Sequence, residues 1–183
     1  MKTLLLNGAK NGKSNVNNFA KMIEEELENR NYEVNNISLH KAEINNCTSC
    51  FECWVGTPGV CVIDDYAQEL ARLFINSNLV IFLTPIVFGG YSYQLKKALD
   101  RMIPLVSPFF KKFEGEIHHK KRYKESPAIL GIGIMDKFNE KKAQIFETLV
   151  ERNCINFHST EQRSRIFMID QDKNSIRKKI KNI

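Results

Sequence analysis

No run in this 183-residue chain approaches the roughly 18 consecutive apolar residues that a membrane-spanning helix needs. Its longest apolar stretch, LVIFLTPIVFGGY, is broken by threonine, proline and two glycines. A signal-peptide core is missing as well. The opening MKTLLLNGAKNG reaches a Gly/Asn loop after a few apolar residues and reads as a first strand, so the expected location is the cytoplasm. There is no low-complexity linker, internal repeat or break in composition that would mark a second domain. Charge of one sign does not dominate: 27 basic residues stand against 21 acidic, for a net charge of +6. The excess sits in Lys111 to Lys124 and Ile176 to Lys181, and no nucleic-acid motif accompanies either block. Neither nucleic acid nor membrane is expected as a partner.

What is present alternates between short apolar runs and stretches of helical period. Thr3–Leu6, Leu79–Thr84 and Ala128–Met135 are compact apolar strands, while Tyr32–Leu39 and Arg165–Ile169 read as further strands. Helical spacing appears in Asn17 to Asn29 and after the candidate caps Asp64, Asp65 and Ser92. It recurs over Glu140–Asn153 and in the basic tail from Asn174. Strand–helix alternation with apolar central strands predicts a doubly wound α/β fold, a five-stranded parallel sheet in the order 2-1-3-4-5. Ligands of such sheets bind at the carboxyl ends of the strands near the switch point, so the loops after strands one, three and four are the functional candidates. Residues 104–126 have no clear periodicity and read as a long connection, either a lid, a dimer arm or a surface loop.

The first loop, Asn7-Gly8-Ala9-Lys10-Asn11-Gly12-Lys13-Ser14-Asn15, opens a helix with small residues, two lysines and a hydroxyl. Backbone N–H groups at such a place favour an anion, and glycine lets the chain approach a phosphate closely. A P-loop nucleotidase is a weak fit, because only three residues separate Gly8 from Gly12-Lys13-Ser14 and the Walker pattern needs four. Strand three ends in Thr84-Pro85 and offers no acidic Mg²⁺ partner. A receiver domain is excluded by the missing acidic residues after strand one and at the end of strand three.

The run Thr84-Pro85-Ile86-Val87-Phe88-Gly89-Gly90, followed by Gln94-Leu95-Lys96 and Asp100-Arg101, resembles the flavin loop and following helix of NAD(P)H-dependent FMN reductases. Asn7-Gly8-Ala9-Lys10 with Ser14-Asn15-Val16 resembles the phosphate loop of the same flavodoxin-like family. Ala9 and Val16 replace a serine and a threonine that are usual there, and Lys10 replaces a common arginine. Val87 stands where a tyrosine often lies beside the flavin. The resemblance implies FMN as cofactor. Ala9, Lys10, Ser14, Asn15 and Val16 would serve its phosphate, chiefly through backbone and Lys10, and Pro85, Ile86, Val87, Phe88 and Gly89 its ring. It also implies NAD(P)H or a reduced carrier as electron donor, a small-molecule or protein acceptor, and an assembly of at least two copies. Flavin carries that chemistry, so no catalytic side chain is expected.

Five cysteines occur, four of them as Cys47, Cys50, Cys53 and Cys61, spaced C-x2-C-x2-C-x7-C. Three thiolates at x2 intervals can wrap three corners of an iron–sulfur cubane while a more distant one supplies the fourth. Structural zinc more often uses two separated C-x2-C knuckles. Pro58 and Gly59 let the chain turn back towards Cys61. The pattern also resembles the cysteine motif of iron–sulfur flavoproteins, which implies a [4Fe–4S] cluster. The context Cys53-Trp54 and Thr57-Pro58-Gly59, however, resembles relatives with no demonstrated cluster. A cluster, a zinc ion, and free packed or redox-active thiols are the readings at this stage, and Cys154 is expected in the core. The rival to an FMN oxidoreductase is a non-enzymatic metal-binding or interaction protein on the same scaffold.

Overall fold

Leu4 and Leu6 of strand β1 (Lys2–Asn7) point to one layer of helices and Leu5 to the other, because side chains alternate along a strand. The computed structural model describes residues 1–113 and 115–181. β1 is the pivot of a parallel sheet with β2 (Glu33–Ser38), β3 (Leu79–Pro85), β6 (Ala128–Met135) and β7 (Gln162–Met168), in the spatial order β2-β1-β3-β6-β7. Numbered among themselves, these five strands have the expected order 2-1-3-4-5, so the fold is flavodoxin-like. Register follows from the apolar faces: Leu5 lies beside Ile81, and Ile81 beside Leu130.

One face is covered by α1 (Val16–Glu28) and α6 (Lys173–Ile180), whose Phe19, Ile23, Ile176 and Ile180 meet Leu5, Ile81, Leu83 and Ile132. The other is covered by α3 (Tyr66–Ile75), α4 (Tyr93–Asp100) and α5 (Glu140–Asn156), through Leu70, Phe74, Leu95, Ala98, Phe146 and Val150. Each of these buried side chains except that of Ala98 contributes about 1.5–3 kcal/mol by leaving water. Four of these helices start at capping side chains: Asp65 accepts from Ala67 N–H, Ser92 from Leu95 N–H, Asn139 from Lys142 N–H and Asp172 from Ser175 N–H. Cys154 is buried in the α5 side of the core.

β6 runs close beneath α5 because it carries glycine on that side. A Cβ at Gly131 would lie 2.4 Å from Val150 Cγ2, and one at Gly133 would lie 2.5 Å from Ile86 Cδ1 and 2.9 Å from Phe146. Ile86 belongs to the loop after β3, so this close packing also seats a functional loop.

The 104–126 connection differs from its unpatterned sequence. After a 3-10 turn at Ile103–Leu105, it forms an antiparallel hairpin of β4 (Val106–Phe113) and β5 (Glu116–Lys121). Phe109, Phe110 and Ile117 of the hairpin are exposed. His118 and His119 belong to it: His118 contacts Glu116 and Asn156, and His119 contacts the Ser107 carbonyl. Among the described residues no helix is long and apolar enough to cross a membrane.

Candidate functional site

Parallel strands deliver the loops after β1, β3 and β6 to one edge of the sheet, on either side of the point where chain order reverses. The first of these loops is braced from all sides. Asn7 Oδ1 accepts from Ala9 N–H, and Asn7 Nδ2 donates to Asn17 Oδ1. Asn17 Nδ2 donates in turn to the carbonyls of Asn11 and Gly12. From α4, Ser92 Oγ donates to Gly8 O at 2.7 Å and Gln94 Nε2 to Lys10 O at 2.9 Å.

The loop's carbonyls are thus drawn onto protein donors, while only some of its N–H groups are matched by acceptors. Among the described residues no hydrogen bond engages the N–H of Lys10, Asn11, Gly12 or Asn15. Donors left free at a helix N-terminus, flanked by the exposed Lys10 and Lys13, make an anion cradle. Ala9 and Val16 behave differently from the other three phosphate-loop candidates. Their side chains are 0% and 2% exposed in the α1 core, and their N–H groups bond to Asn7 Oδ1 and Ser14 Oγ. Lys10 and Asn15 are exposed and Ser14 is half-buried.

The loop after β3 makes a tight reversal. Val87 and Gly90 exchange two backbone hydrogen bonds, of 3.0 and 2.9 Å, around Phe88 and Gly89. Both central residues are left-handed, with φ of 53° and 89°, which is the type I′ arrangement. Gly89 suits it. Phe88 does not, yet its ring stands 89% exposed at the tip, and strain of this kind concentrates at functional sites. Pro85 and Ile86 are half-buried beneath it, Val87 is exposed, and the N–H groups of Phe88 and Gly89 have no acceptor among the described residues.

The cysteine segment forms a second site. Ser49 and Phe51, on either side of Cys50, are both left-handed (φ of 55° and 58°), so the C-x2-C-x2-C run coils tightly into the one-turn helix α2 (Glu52–Val55). Trp54 fixes that turn by donating to the carbonyls of Ile103 and Val106. Gly59, at φ 92°, turns the chain back, and Gln68 holds the Cys61 carbonyl at 2.7 Å. Cys47, Cys50, Cys53 and Cys61 all line one cavity of about 70 Å³, together with Arg101.

Burial pushes the Cys53 thiol up, and like-charge repulsion from Cys61, Cys47 and Cys50 adds to it. Cys50 is pulled the other way by the Glu52 N–H and the Thr48 hydroxyl. No three His, Cys, Asp or Glu side chains among the described residues converge as a single metal ion requires.

Sequence reasoning placed the loops but missed their clamps. Ser92 was legible only as a helix cap, and Gln94 and Arg101 only as letters of a motif. Nothing in the sequence marks Asn17 as the residue that turns the first loop's carbonyls inward.

Fold and loops together define a flavodoxin-like protein with an anion cradle beside a strained aromatic turn. The sequence profile of the NADPH-dependent FMN reductase family matches residues 1–122, and the chain belongs to that family. An iron–sulfur flavoprotein of Archaeoglobus fulgidus is 37% identical over 90 residues, covering 48% of this chain and 40% of the relative. The chain spans about half the length, or less, of the curated relatives it matches. Among solved structures, an azoreductase superimposes with a TM-score of 0.73 at 12% identity, over 100% of both chains. An FMN-dependent NADH-azoreductase from Bacillus anthracis, in complex with FMN, does so with a TM-score of 0.67 at 15% identity, over 99% of this chain and 96% of that one. At such identities the likeness speaks for the fold.

Proposed function

We propose that this protein is an NAD(P)H-dependent oxidoreductase holding FMN across the loops after β1 and β3, with an iron–sulfur cluster on Cys47, Cys50, Cys53 and Cys61. The observation that carries the FMN reading is the first loop's asymmetry. Its carbonyls at Gly8, Lys10, Asn11 and Gly12 are each held by a side chain, and the N–H groups of Lys10, Asn11, Gly12 and Asn15 are left for an anion. Lys10 and Ser14 add charge and a hydroxyl. Gln94 Oε1, buried with no donor among the described residues, offers an acceptor to a polyhydroxylated ligand. The N–H groups of Phe88 and Gly89 are donors for the edge of a ring, and the backbone from Pro85 to Val87 supports it.

FMN supplies hydride acceptance from a nicotinamide and release of electrons singly, and an iron–sulfur cluster carries single electrons. The chain's own part is to bind, orient and exclude water: the cradle fixes the phosphate, and the turn at Val87–Gly90 presents donors and the Phe88 ring. For the second site, four cysteines lining one cavity, three of them at x2 spacing, support a cubane over zinc, which more often uses two separated C-x2-C knuckles. The name of the Archaeoglobus fulgidus relative supports the same reading. A small-molecule or protein acceptor and an assembly of at least two copies complete the proposal, the latter checked by light scattering.

The test is anaerobic purification with assays for FMN, iron, acid-labile sulfide and zinc, on wild type and on the Lys10→Ala, Ser14→Ala double variant. FMN with iron and sulfide in wild type, and FMN lost in the variant, are expected. Stoichiometric FMN in the variant sinks the phosphate-loop assignment, and flavin without iron removes the cluster. No flavin even in excess FMN points instead to a binding protein on this scaffold.

A further inference from the structure

Arg101 follows α4 directly, and its side chain is 0% exposed. Nη1 donates to Asn45 O at 2.8 Å and to Asp65 Oδ2 at 2.7 Å. Nη2 donates to Cys61 Sγ at 3.3 Å, Ile63 O at 3.2 Å and Asp65 Oδ1 at 3.0 Å. These acceptors come from two places in the chain. Asn45 lies just before Cys47, and Cys61, Ile63 and Asp65 lie at and just after the last cysteine of the motif. Between them runs a largely exposed stretch whose regular structure is the single turn of α2. One guanidinium therefore fastens both ends of the cysteine loop.

We propose that Arg101 is the positioning residue of the cysteine site: it closes the loop so that Cys61 faces the C-x2-C-x2-C coil, and its N–H···S bond to Cys61 sets the reduction potential of a cluster held there. The second half rests on the iron–sulfur reading above; the first does not. Planarity is what the role requires, since a fork of five donors can serve two chain segments and a sulfur at once, and a lysine ammonium at that position cannot. A hydrogen bond to a ligand sulfur stabilises the more negative, reduced form of a cluster and so raises its potential. Helix α4 then has a clamp at each end. Ser92 and Gln94 hold the phosphate loop at its start, and Arg101 holds the cysteine loop at its finish, about 12 Å away at 1.5 Å per residue.

The experiment compares wild type with Arg101→Lys, which keeps a charge beside Asp65. In metal-free protein, native-state proteolysis between residues 46 and 60 should become about tenfold faster while FMN content stays unchanged. In protein reconstituted with iron and sulfide, the midpoint potential should move to a more negative value, and loss of iron to a chelator should speed up about tenfold, as for outer-shell partners of metal ligands. An unchanged cleavage rate overturns the closing role, and an unchanged potential overturns the sulfur contact. If wild type takes up no iron, the cluster reading fails separately, and proteolysis alone decides on Arg101. Should Arg101→Lys not fold, the double substitution Arg101→Met, Asp65→Leu removes both buried charges together and carries the same two measurements.

Discussion

Ser92 Oγ donates a 2.7 Å hydrogen bond to the carbonyl of Gly8, joining two loops 84 residues apart in the chain. The contact is tight on both sides: a Cβ on Gly8 would lie 2.7 Å from Ser92 Oγ and 3.0 Å from Leu83 O. The same hydroxyl accepts from Leu95 N–H to cap α4, and Ser92 N–H donates to Thr84 Oγ1. One buried serine thus ties the first loop to the end of β3, from which the proposed flavin turn starts.

Ser92→Ala tests that coupling. It removes a helix cap and leaves the Gly8 carbonyl unpaired, at a cost of about 1–2 kcal/mol in chemical denaturation. FMN affinity, read from quenching of flavin fluorescence, should fall by about tenfold or more, because the loop's N–H groups lose their fixed direction. A variant destabilised as expected but binding FMN as wild type does would show that the clamp serves the fold alone.

Gly133→Ala should act on the same site from beneath. The added methyl would sit 2.5 Å from Ile86 Cδ1 and 2.9 Å from Phe146, so the sheet, the loop after β3 or α5 must move. Overpacking of this kind costs about 1–3 kcal/mol. Thermal denaturation should record that loss together with weaker FMN binding. Gly131→Ala, whose methyl meets Val150 of α5, should lower stability with a smaller effect on flavin.

The sheet was legible because burial on both faces leaves strands such as Leu79–Thr84 and Ala128–Met135 almost wholly apolar, a pattern few other structures produce. The hairpin at Val106–Phe113 and Glu116–Lys121 was not, because neither of its strands has a face sunk in the core and its apolar residues do not alternate. Loop positions could be placed from strand ends, and glycine, lysine and cysteine spacing suggested what each loop is proposed to hold. The clamps could not. Gln94 and Arg101 act through contacts tens of residues away, Asn17 folds back on the loop just before it, and a polar letter in a helix does not say which loop it reaches.

Phe88 carries strain at a position where asparagine or glycine is at ease. With φ at 53° and its ring in solvent, it contributes little burial to repay the left-handed conformation. Phe88→Asn should therefore stabilise the apoprotein by about 0.5–1 kcal/mol. If the ring covers a bound flavin or nicotinamide, kcat/KM for NAD(P)H should drop about 2–10-fold in the same variant, the size of one aromatic contact. Gain of stability without loss of activity would mark the residue as neutral to the reaction.

Thiol reactivity should sort the cysteines in metal-free protein. Cys50 is exposed, and the Glu52 N–H and Thr48 hydroxyl lower its pKa, whereas burial, reinforced by Glu151, pushes Cys154 up to about 12. Because the thiolate is the nucleophile, iodoacetamide at pH 8 should label Cys50 first and leave Cys154 untouched, slower by about a thousandfold or more. Peptide mass spectrometry reads the order. Unfolding in guanidinium should abolish the difference.

Asp65 ties stability to acid pH. Burial works against its carboxylate, but hydrogen bonds from Arg101 and from the N–H groups of Asn45 and Ala67 outweigh it and hold its pKa below the ordinary carboxylate range. A group depressed on folding stabilises fully above its unfolded value, about 3.9, and loses that contribution as pH falls through the folded value. Wild-type stability should therefore decline below about pH 4. Asp65→Asn leaves the Arg101 guanidinium buried without its counter-charge, costing about 3–5 kcal/mol at pH 6. Since the variant has no carboxylate to titrate there, its curve should be flatter in acid, and the gap between the two proteins should narrow below pH 4. Urea denaturation from pH 3 to 7 measures both curves; a gap that stays constant across that range would show that Asp65 holds its place by shape and not by charge.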